Sequence, residues 1–239
     1  MIKHILFDLD GTLLPMDQSV FIKGYFGALI KYFGQLGLDE TAAYTGLKVS
    51  VKAMAQNEGS MLNEDVFWKV FLEYNEGDRE ELTRSTKVFY RDHFESVVRA
   101  TCGFNPLSNE VIQLAKSKGY DVYLLTNPMF PKEATSVRVK CAGLDFNDFK
   151  EVTTYENYHF CKPNVAYFQE VMNKFQLDPT ECLMIGNDVQ EDTVVKHLGT
   201  SVYLVTDDLI DRNNTDISTI PHGSFQELIA YIQALPDLK

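Results

Sequence analysis

Apolar positions along this chain follow two different rhythms. Ile2, Ile5, Leu6 and Phe7 form a short apolar run that stops at Asp8-Leu9-Asp10-Gly11-Thr12. A continuous apolar run closed by a glycine fits a buried parallel strand. Next, Ile22, Phe26, Leu29, Phe33 and Leu36 recur at steps of three and four, and Gly37 follows. That spacing predicts an amphipathic helix with a C-terminal stop. Similar spacing predicts helices over about Glu40–Gln56, Glu64–Tyr74 and Glu80–Arg99. No strand pattern stands out between Asp17 and Arg99, so this block reads as all-helical.

After Gly103 the pattern alternates. Ser108–Lys118 reads as a helix, Tyr120–Thr126 as a strand, Val137–Ala142 as a helix and Glu151–Thr154 as a short strand. Asn164 opens a helix whose apolar face is Val165, Phe168, Met172 and Phe175. Cys182–Gly186 reads as a strand, followed by a helix ending near Gly199, and Ser201–Val205 as another strand. Ser224-Phe-Gln-Glu227 is a capping box that starts the last helix. The polar stretch Asp207–Gly223 reads as a loop, with Asp207, Asp208, Asp211 and Asp216 on a solvated face. Alternating strands and helices imply an α/β fold, a Rossmann-like parallel sheet with helices on both faces. The first strand must join that sheet, because one strand alone has no sheet. The expected organisation is therefore a core of residues 1–16 and 100–239, with 17–99 inserted as a helical domain.

In open parallel sheets, ligands bind beyond the carboxyl ends of the strands. The polar residues expected there are Asp8 and Asp10, Thr126 and Asn127, and Asn187 and Asp188 with Asp192 four residues on. Lys162 precedes the helix that follows the Glu151 strand. Crowded carboxylates repel unless a cation is present, and Mg²⁺ is a natural hard cation for oxygen ligands. The expected ligands are Asp8, the Asp10 backbone carbonyl and Asp188, with Asp192 in support. With a phosphoryl group so neutralised, Asp8 is the candidate nucleophile and Asp10 the candidate general acid and base. Thr126, Asn127 and Lys162 are candidates to contact the phosphoryl oxygens.

These residues also carry a family resemblance. Asp8-Leu-Asp10-Gly-Thr12 resembles the nucleophile motif of the haloacid dehalogenase superfamily, and Leu124-Leu-Thr126-Asn127-Pro128 its second motif. Cys161-Lys162-Pro163 is similar to its lysine motif, and Ile185-Gly-Asn-Asp188-Val-Gln-Glu-Asp192 to its terminal acidic motif. The four occur in the family's order, and residues 17–99 sit where the family places a cap. The resemblance implies Mg²⁺-dependent phosphoester hydrolysis through an aspartyl intermediate under a mobile cap. The acidic motif departs from the pattern in having Asn187 between Gly186 and Asp188, so Asn187 is a candidate to share the role of Asp188. The dehalogenases of this superfamily lack an acid at the Asp10 position, since halide leaves without a proton. Asp10 therefore favours phosphoryl transfer.

The leading expectation is an enzyme, a phosphatase acting on a small phosphorylated metabolite. A sugar phosphomutase, or a phosphonate hydrolase with Lys48 or Lys52 as a Schiff base, would use the same core. A phosphoaspartate receiver is disfavoured because its acceptor closes the third strand of a chain of about 120 residues without an insertion. A catalytically silent binding protein is disfavoured by the intact acid set. The aromatic residues of the helical block read as its core, and His159 as a surface residue.

Composition narrows the partners. The 239 residues carry 22 Lys+Arg and 34 Asp+Glu, a net charge of −12. Such a chain is a poor match for nucleic acid or an anionic membrane surface, whereas one local site can still take a small phosphate. No apolar run approaches the roughly 18 residues needed to span a bilayer, and the N-terminus lacks a signal-peptide pattern. The expected location is cytoplasmic. Cys102, Cys141, Cys161 and Cys182 are widely spaced and read as reduced thiols. With no long heptad pattern, a monomer is the default, with a dimer left open.

Overall fold

The computed structural model describes residues 1–238. Its centre is a five-stranded parallel sheet: β1 (His4–Phe7), β2 (Asp121–Leu124), β3 (Cys182–Gly186), β4 (Ser201–Val205) and β5 (His222–Gly223), in the order β2-β1-β3-β4-β5. The β1 strand is hydrogen-bonded on both sides, with Phe7 opposite Leu124 and Ile185. Successive side chains of a strand point to opposite faces, and both faces here are apolar. Ile5, Phe7, Leu183 and Ile185 enter one core, while Leu6, Cys182 and Met184 enter the other. The second core is completed by Tyr167, Phe168, Val171 and Met172.

Ten α-helices among the described residues surround or extend the sheet. Between β1 and β2 come α1 (Gln18–Gln35), α2 (Glu40–Ala55), α3 (Asn63–Tyr74), α4 (Arg79–Asp92), α5 (Phe94–Thr101) and α6 (Leu107–Ser117). After β2 follow α7 (Lys132–Cys141), α8 (Val165–Phe175), the short α9 (Val189–Asp192) and α10 (Phe225–Ala234). The helices start where acidic caps satisfy their first amides: Asp17 accepts from Ser19 N and Val20 N, Asp39 from Ala42 N, and Asp78 from Glu81 N. The capping box at Ser224 and Glu227 is formed. Helices α6 and α10 pack on one face of the sheet and α8 on the other.

The two connections into and out of the α1–α5 block run side by side. Met16 bridges Cys102, and Gly103 N donates to Pro15 O at 2.7 Å. The block shares its apolar core with the sheet through Phe21, Tyr25 and Phe94, whose rings meet Phe130 or one another.

Four segments differ from the sequence expectation. The helix expected over Glu80–Arg99 breaks at His93 (φ −122°, ψ −29°), where the Ser96 hydroxyl takes the His93 carbonyl. No glycine or proline marks that break. The expected strand at Glu151–Thr154 is a single bridge from Val152 to Leu124, because Thr153 turns its hydroxyl onto the Thr126 carbonyl at 2.6 Å. The helix expected at Val137 begins five residues earlier, after Pro131. The Asp207–Gly223 stretch is not a plain solvated loop. It ends in β5, Asp207 accepts from Phe225 N, and Asp208 from Met16 N.

Candidate active site

The site lies where the sheet reverses direction of growth, beyond the C-terminal ends of β1, β2 and β3. Each strand delivers polar residues immediately after its last paired position: Asp8 and Asp10 after β1, Thr126 and Asn127 after β2, Asn187 and Asp188 after β3. The turn after β1 needs Gly11, whose φ of +82° is a left-handed conformation and whose added Cβ would overlap the Asn187 side chain.

Lys162 is the charge centre of the arrangement. It is 2% exposed, and its Nζ lies 2.8 Å from Asp8 Oδ1 and 2.7 Å from Asp192 Oδ1. Burial works against its charge, but Asp192 and Asp8 outweigh that, and its pKa stays well above the ordinary lysine value. One ammonium faces two carboxylates, so the buried group carries an excess of negative charge. Burial pushes the Asp8 carboxyl up to about 8, with Lys162 opposing and Asp192 and Asp10 adding to the rise. The Thr12 hydroxyl lies 3.0 Å from Asn187 Oδ1 and 3.4 Å from Asp8 Oδ2.

The other expected residues divide into two groups. Asp10 opens onto the same cavity as Asp8, and the Thr126 hydroxyl is 3.5 Å from Asp10 Oδ2. Asp188 caps α9, accepting on Oδ1 from Gln190 N and Glu191 N at 3.0 Å each. Asn127 and Asp192 also border the cavity, but their polar atoms are engaged with the protein. Asn127 accepts from Lys162 N at 3.2 Å and donates to Lys162 O at 3.3 Å, so its amide holds the lysine's main chain. Asp192 uses Oδ1 on Lys162 and Oδ2 on Asp188 N at 3.0 Å. Both its oxygens are therefore engaged within the protein. His159 pairs with Glu170 at 2.6 Å.

Three residues at the site were not anticipated. Arg138 of α7 is fully buried and pairs with Asp10 Oδ2. Arg212 from the acidic stretch reaches Asp188, with NH1 2.9 Å from Oδ1 and 2.7 Å from Oδ2. Glu191 lines the cavity and accepts from Asn127 Nδ2 at 3.2 Å, and burial pushes its carboxyl up to about 7. No motif in the sequence marks Arg138 or Arg212, whose partners lie 128 and 24 residues away. Glu191 stands within the acidic motif and was legible as a candidate.

The cavity holds about 170 Å³. Its floor is the acid set of Asp8, Asp10 and Asp188. Its walls are apolar, from Met16, Phe21, Ile22, Met129 and Phe130. Among the described residues Asp10 Oδ1 is buried with no hydrogen-bond partner, and Asp188 Oδ2 meets only the Arg212 guanidinium at 2.7 Å. Among the described residues, no three Asp, Glu, His or Cys side chains converge on one metal position. Two carboxylates with spare oxygen capacity and a main-chain carbonyl form a hard-oxygen donor set. It fits a Mg²⁺ ion that keeps waters, which needs only one or two carboxylates from the protein.

Such a rim, with acids after β1 and β3, a hydroxyl after β2 and a buried lysine, recurs in known proteins. Residues 2–193 match the family described as haloacid dehalogenase-like hydrolase. Pyrophosphatase PpaX of Bacillus thuringiensis (strain Al Hakam) is 24% identical over 206 residues, covering 86% of this chain and 83% of that protein. A HAD phosphatase from Thermococcus onnurineus superimposes with a TM-score of 0.58 at 19% identity, covering 99% of this chain and 100% of that one. The L-2-haloacid dehalogenase of Xanthobacter autotrophicus superimposes with a TM-score of 0.57 at 15% identity, covering 98% and 100%. The fold is thus shared by proteins named for two chemistries. The match spans β1 to β3, the helical block and all four motifs, and the chain belongs to the haloacid dehalogenase-like hydrolases, a family of enzymes.

Proposed function

We propose that this chain is a Mg²⁺-dependent phosphatase that hydrolyses a small organic phosphate through an aspartyl phosphate on Asp8. The observation that carries the reading is Asp10, which lines the same cavity as Asp8 and, among the described residues, finds no hydrogen-bond partner for its Oδ1. A halide leaves without a proton, whereas an ester oxygen needs one, and this carboxyl is placed to serve it. The names of the relatives, a pyrophosphatase and a phosphatase, support phosphoryl hydrolysis. The apolar walls at Phe21, Ile22 and Phe130 favour an organic leaving group over inorganic pyrophosphate.

In this reading Asp8 Oδ2, the oxygen not taken by Lys162, attacks phosphorus. Asp10 protonates the departing oxygen and then takes a proton from the water that cleaves the aspartyl phosphate. Lys162 keeps Asp8 in place and offsets negative charge, and Thr126 offers a hydroxyl to the phosphoryl oxygens. Mg²⁺, held by Asp8, the Asp10 carbonyl and Asp188, would neutralise the phosphoryl group so that a carboxylate can approach it. Asp192 and Asn127 act by holding Lys162 rather than by touching metal or phosphate. Residues 17–99 serve as the cap, since Phe21 and Ile22 of α1 roof the cavity and keep bulk water from it.

Among the described residues neither Lys48 nor Lys52 lines this cavity, and the Lys48 ammonium sits 5.3 Å over the Tyr44 ring. That supports hydrolysis over Schiff-base chemistry. Among the described residues no helix is long and apolar enough to cross a membrane. We take the protein to act in the cytoplasm on a small diffusible substrate. The test is phosphate release from p-nitrophenyl phosphate by wild type and Asp8→Asn, with Mg²⁺ and with EDTA. Release that needs both Asp8 and Mg²⁺ supports the reading. Release that survives either loss overturns it.

A further inference from the structure

Arg138 has no part in the proposed chemistry, yet among the described residues only Trp68 is a larger fully buried side chain. Its side chain is 0% exposed. One face of the guanidinium stacks on Phe130, 4.2 Å from the ring centroid, and NH2 donates to Thr135 Oγ1 at 3.2 Å. NH1 is bonded to Asp10 Oδ2, while Nε is buried without a partner. A buried guanidinium with an unsatisfied nitrogen is a poor structural choice, because an apolar side chain would pack there at less cost. Among the described residues its one carboxylate partner, Asp10, is a residue of the site.

We infer that Arg138 is a positioning residue that fixes the Asp10 carboxyl for its work on the leaving group. The inference rests on the acid–base role of Asp10 proposed above. The geometry gives the reason. Arg138 and the Thr126 hydroxyl both approach Oδ2, while Oδ1 has no hydrogen-bond partner among the described residues and Asp10 itself lines the cavity. Pinning one oxygen sets the side-chain torsion and so fixes where the other points. Phe130 locks the guanidinium from above and lines the cavity itself, so the arginine is held by a residue of the cavity wall. A general acid must meet the departing oxygen within hydrogen-bond reach, and a carboxyl free to rotate would meet it only part of the time.

The test uses two esters of nearly the same shape, phenyl phosphate and p-nitrophenyl phosphate. The first needs a proton on its leaving oxygen far more than the second. Their kcat/KM values report the step in which that oxygen departs. Arg138→Met is expected to lower kcat/KM about 10²-fold on phenyl phosphate and less than about 10-fold on p-nitrophenyl phosphate. Arg138→Lys, which keeps a cation, is expected to recover part of that loss. In an Asp10→Asn background, Arg138→Met is expected to cause no further fall on either ester. An equal loss on both esters, or a further fall in the Asp10→Asn background, overturns the inference and leaves Arg138 a structural residue. Should Arg138→Met fail to melt cooperatively, Arg138→Lys is put through the same comparisons, and the absence of a difference between the esters overturns the inference. Full activity of Asp10→Asn on both esters would instead overturn the acid–base reading beneath it.

Discussion

Asn127 grips Lys162 by its main chain, with the amide oxygen on Lys162 N and the amide nitrogen on Lys162 O. This ties the residue after β2 to the residue before α8, and so sets where the buried ammonium stands between Asp8 and Asp192. The sequence motif placed Asn127 on the substrate phosphate. Its hydrogen bonds make it part of the lysine's support as well.

Asn127→Ala is therefore expected to lower kcat more than it raises KM. Misplacing a charge by about 1 Å can cost on the order of 10²-fold in rate. The lost hydrogen bonds should also cost roughly 1–2 kcal/mol of stability. Steady-state kinetics and urea unfolding check this. A rise in KM with kcat unchanged would return Asn127 to the substrate.

Lys162 neutralises two carboxylates at once. Lys162→Met leaves Asp8 and Asp192 buried without a counter-charge. It is expected to cost about 3–5 kcal/mol and to lower phosphate release at least ~10²-fold. The double variant Lys162→Met/Asp192→Asn removes one of the stranded charges. It should be more stable than Lys162→Met alone, though no more active. If urea unfolding finds the double variant no more stable, unpaired charge is not what destabilises the single one.

Asp8 has a folded-state pKa raised by burial to about 8, from an ordinary value of 3.8. A carboxyl raised in this way contributes stability that is fully present below its unfolded pKa and is lost as pH rises through the folded one. Glu191, raised to about 7, acts in the same direction. In EDTA the wild type is expected to lose stability relative to Asp8→Asn between about pH 4 and pH 9, by roughly 2–5 kcal/mol in all. Mg²⁺ should shrink that gap at the alkaline end, because it binds the ionised carboxylate. Thermal melts of both proteins across pH, with and without Mg²⁺, check the sign. A gap that is constant with pH would show that Asp8 is not strained by burial.

The parts of this molecule visible in its sequence are those governed by local pattern. β1, β3 and β4 are apolar runs, and β1 and β3 end at polar residues. A parallel sheet must present such ends on one rim, so Asp8, Asp10, Thr126 and Asp188 could be assembled from the strand pattern, while Lys162 was legible through its place in the lysine motif ahead of α8. What stayed hidden depends on distant partners. Arg138 sits in a helix, KEATSVRVKC, whose apolar positions mark no clear face, and only its burial against Phe130 and Asp10 separates it from a surface arginine. Arg212 lies in a stretch whose acidic character reads as solvated, although that stretch folds back so that Asp208 meets Met16 N. The break at His93 needs no glycine or proline because a serine hydroxyl satisfies the freed carbonyl. β5 is two residues long and has no pattern to detect.

Gly186 ends β3, and its lack of a side chain is what lets the Asp192 carboxyl lie against the strand. A Cβ built there would overlap that carboxyl. Asp192 has little room to retreat, since one oxygen holds Lys162 and the other holds Asp188 N. Gly186→Ala should therefore push Asp192 off Lys162, and the ammonium would turn wholly to Asp8. The expected result is a loss of about 1–3 kcal/mol from overpacking, together with a fall in kcat larger than the stability loss alone would produce. Gly27 in α1 is the control. Nothing lies within 4 Å of a methyl group added there, and alanine favours the helix by roughly 0.5–1 kcal/mol. Gly27→Ala should be slightly more stable than wild type and equally active. Unfolding curves and phosphate release on the two variants decide the matter. If Gly186→Ala keeps full activity, the close approach of Asp192 to the strand is not needed to hold Lys162 in place.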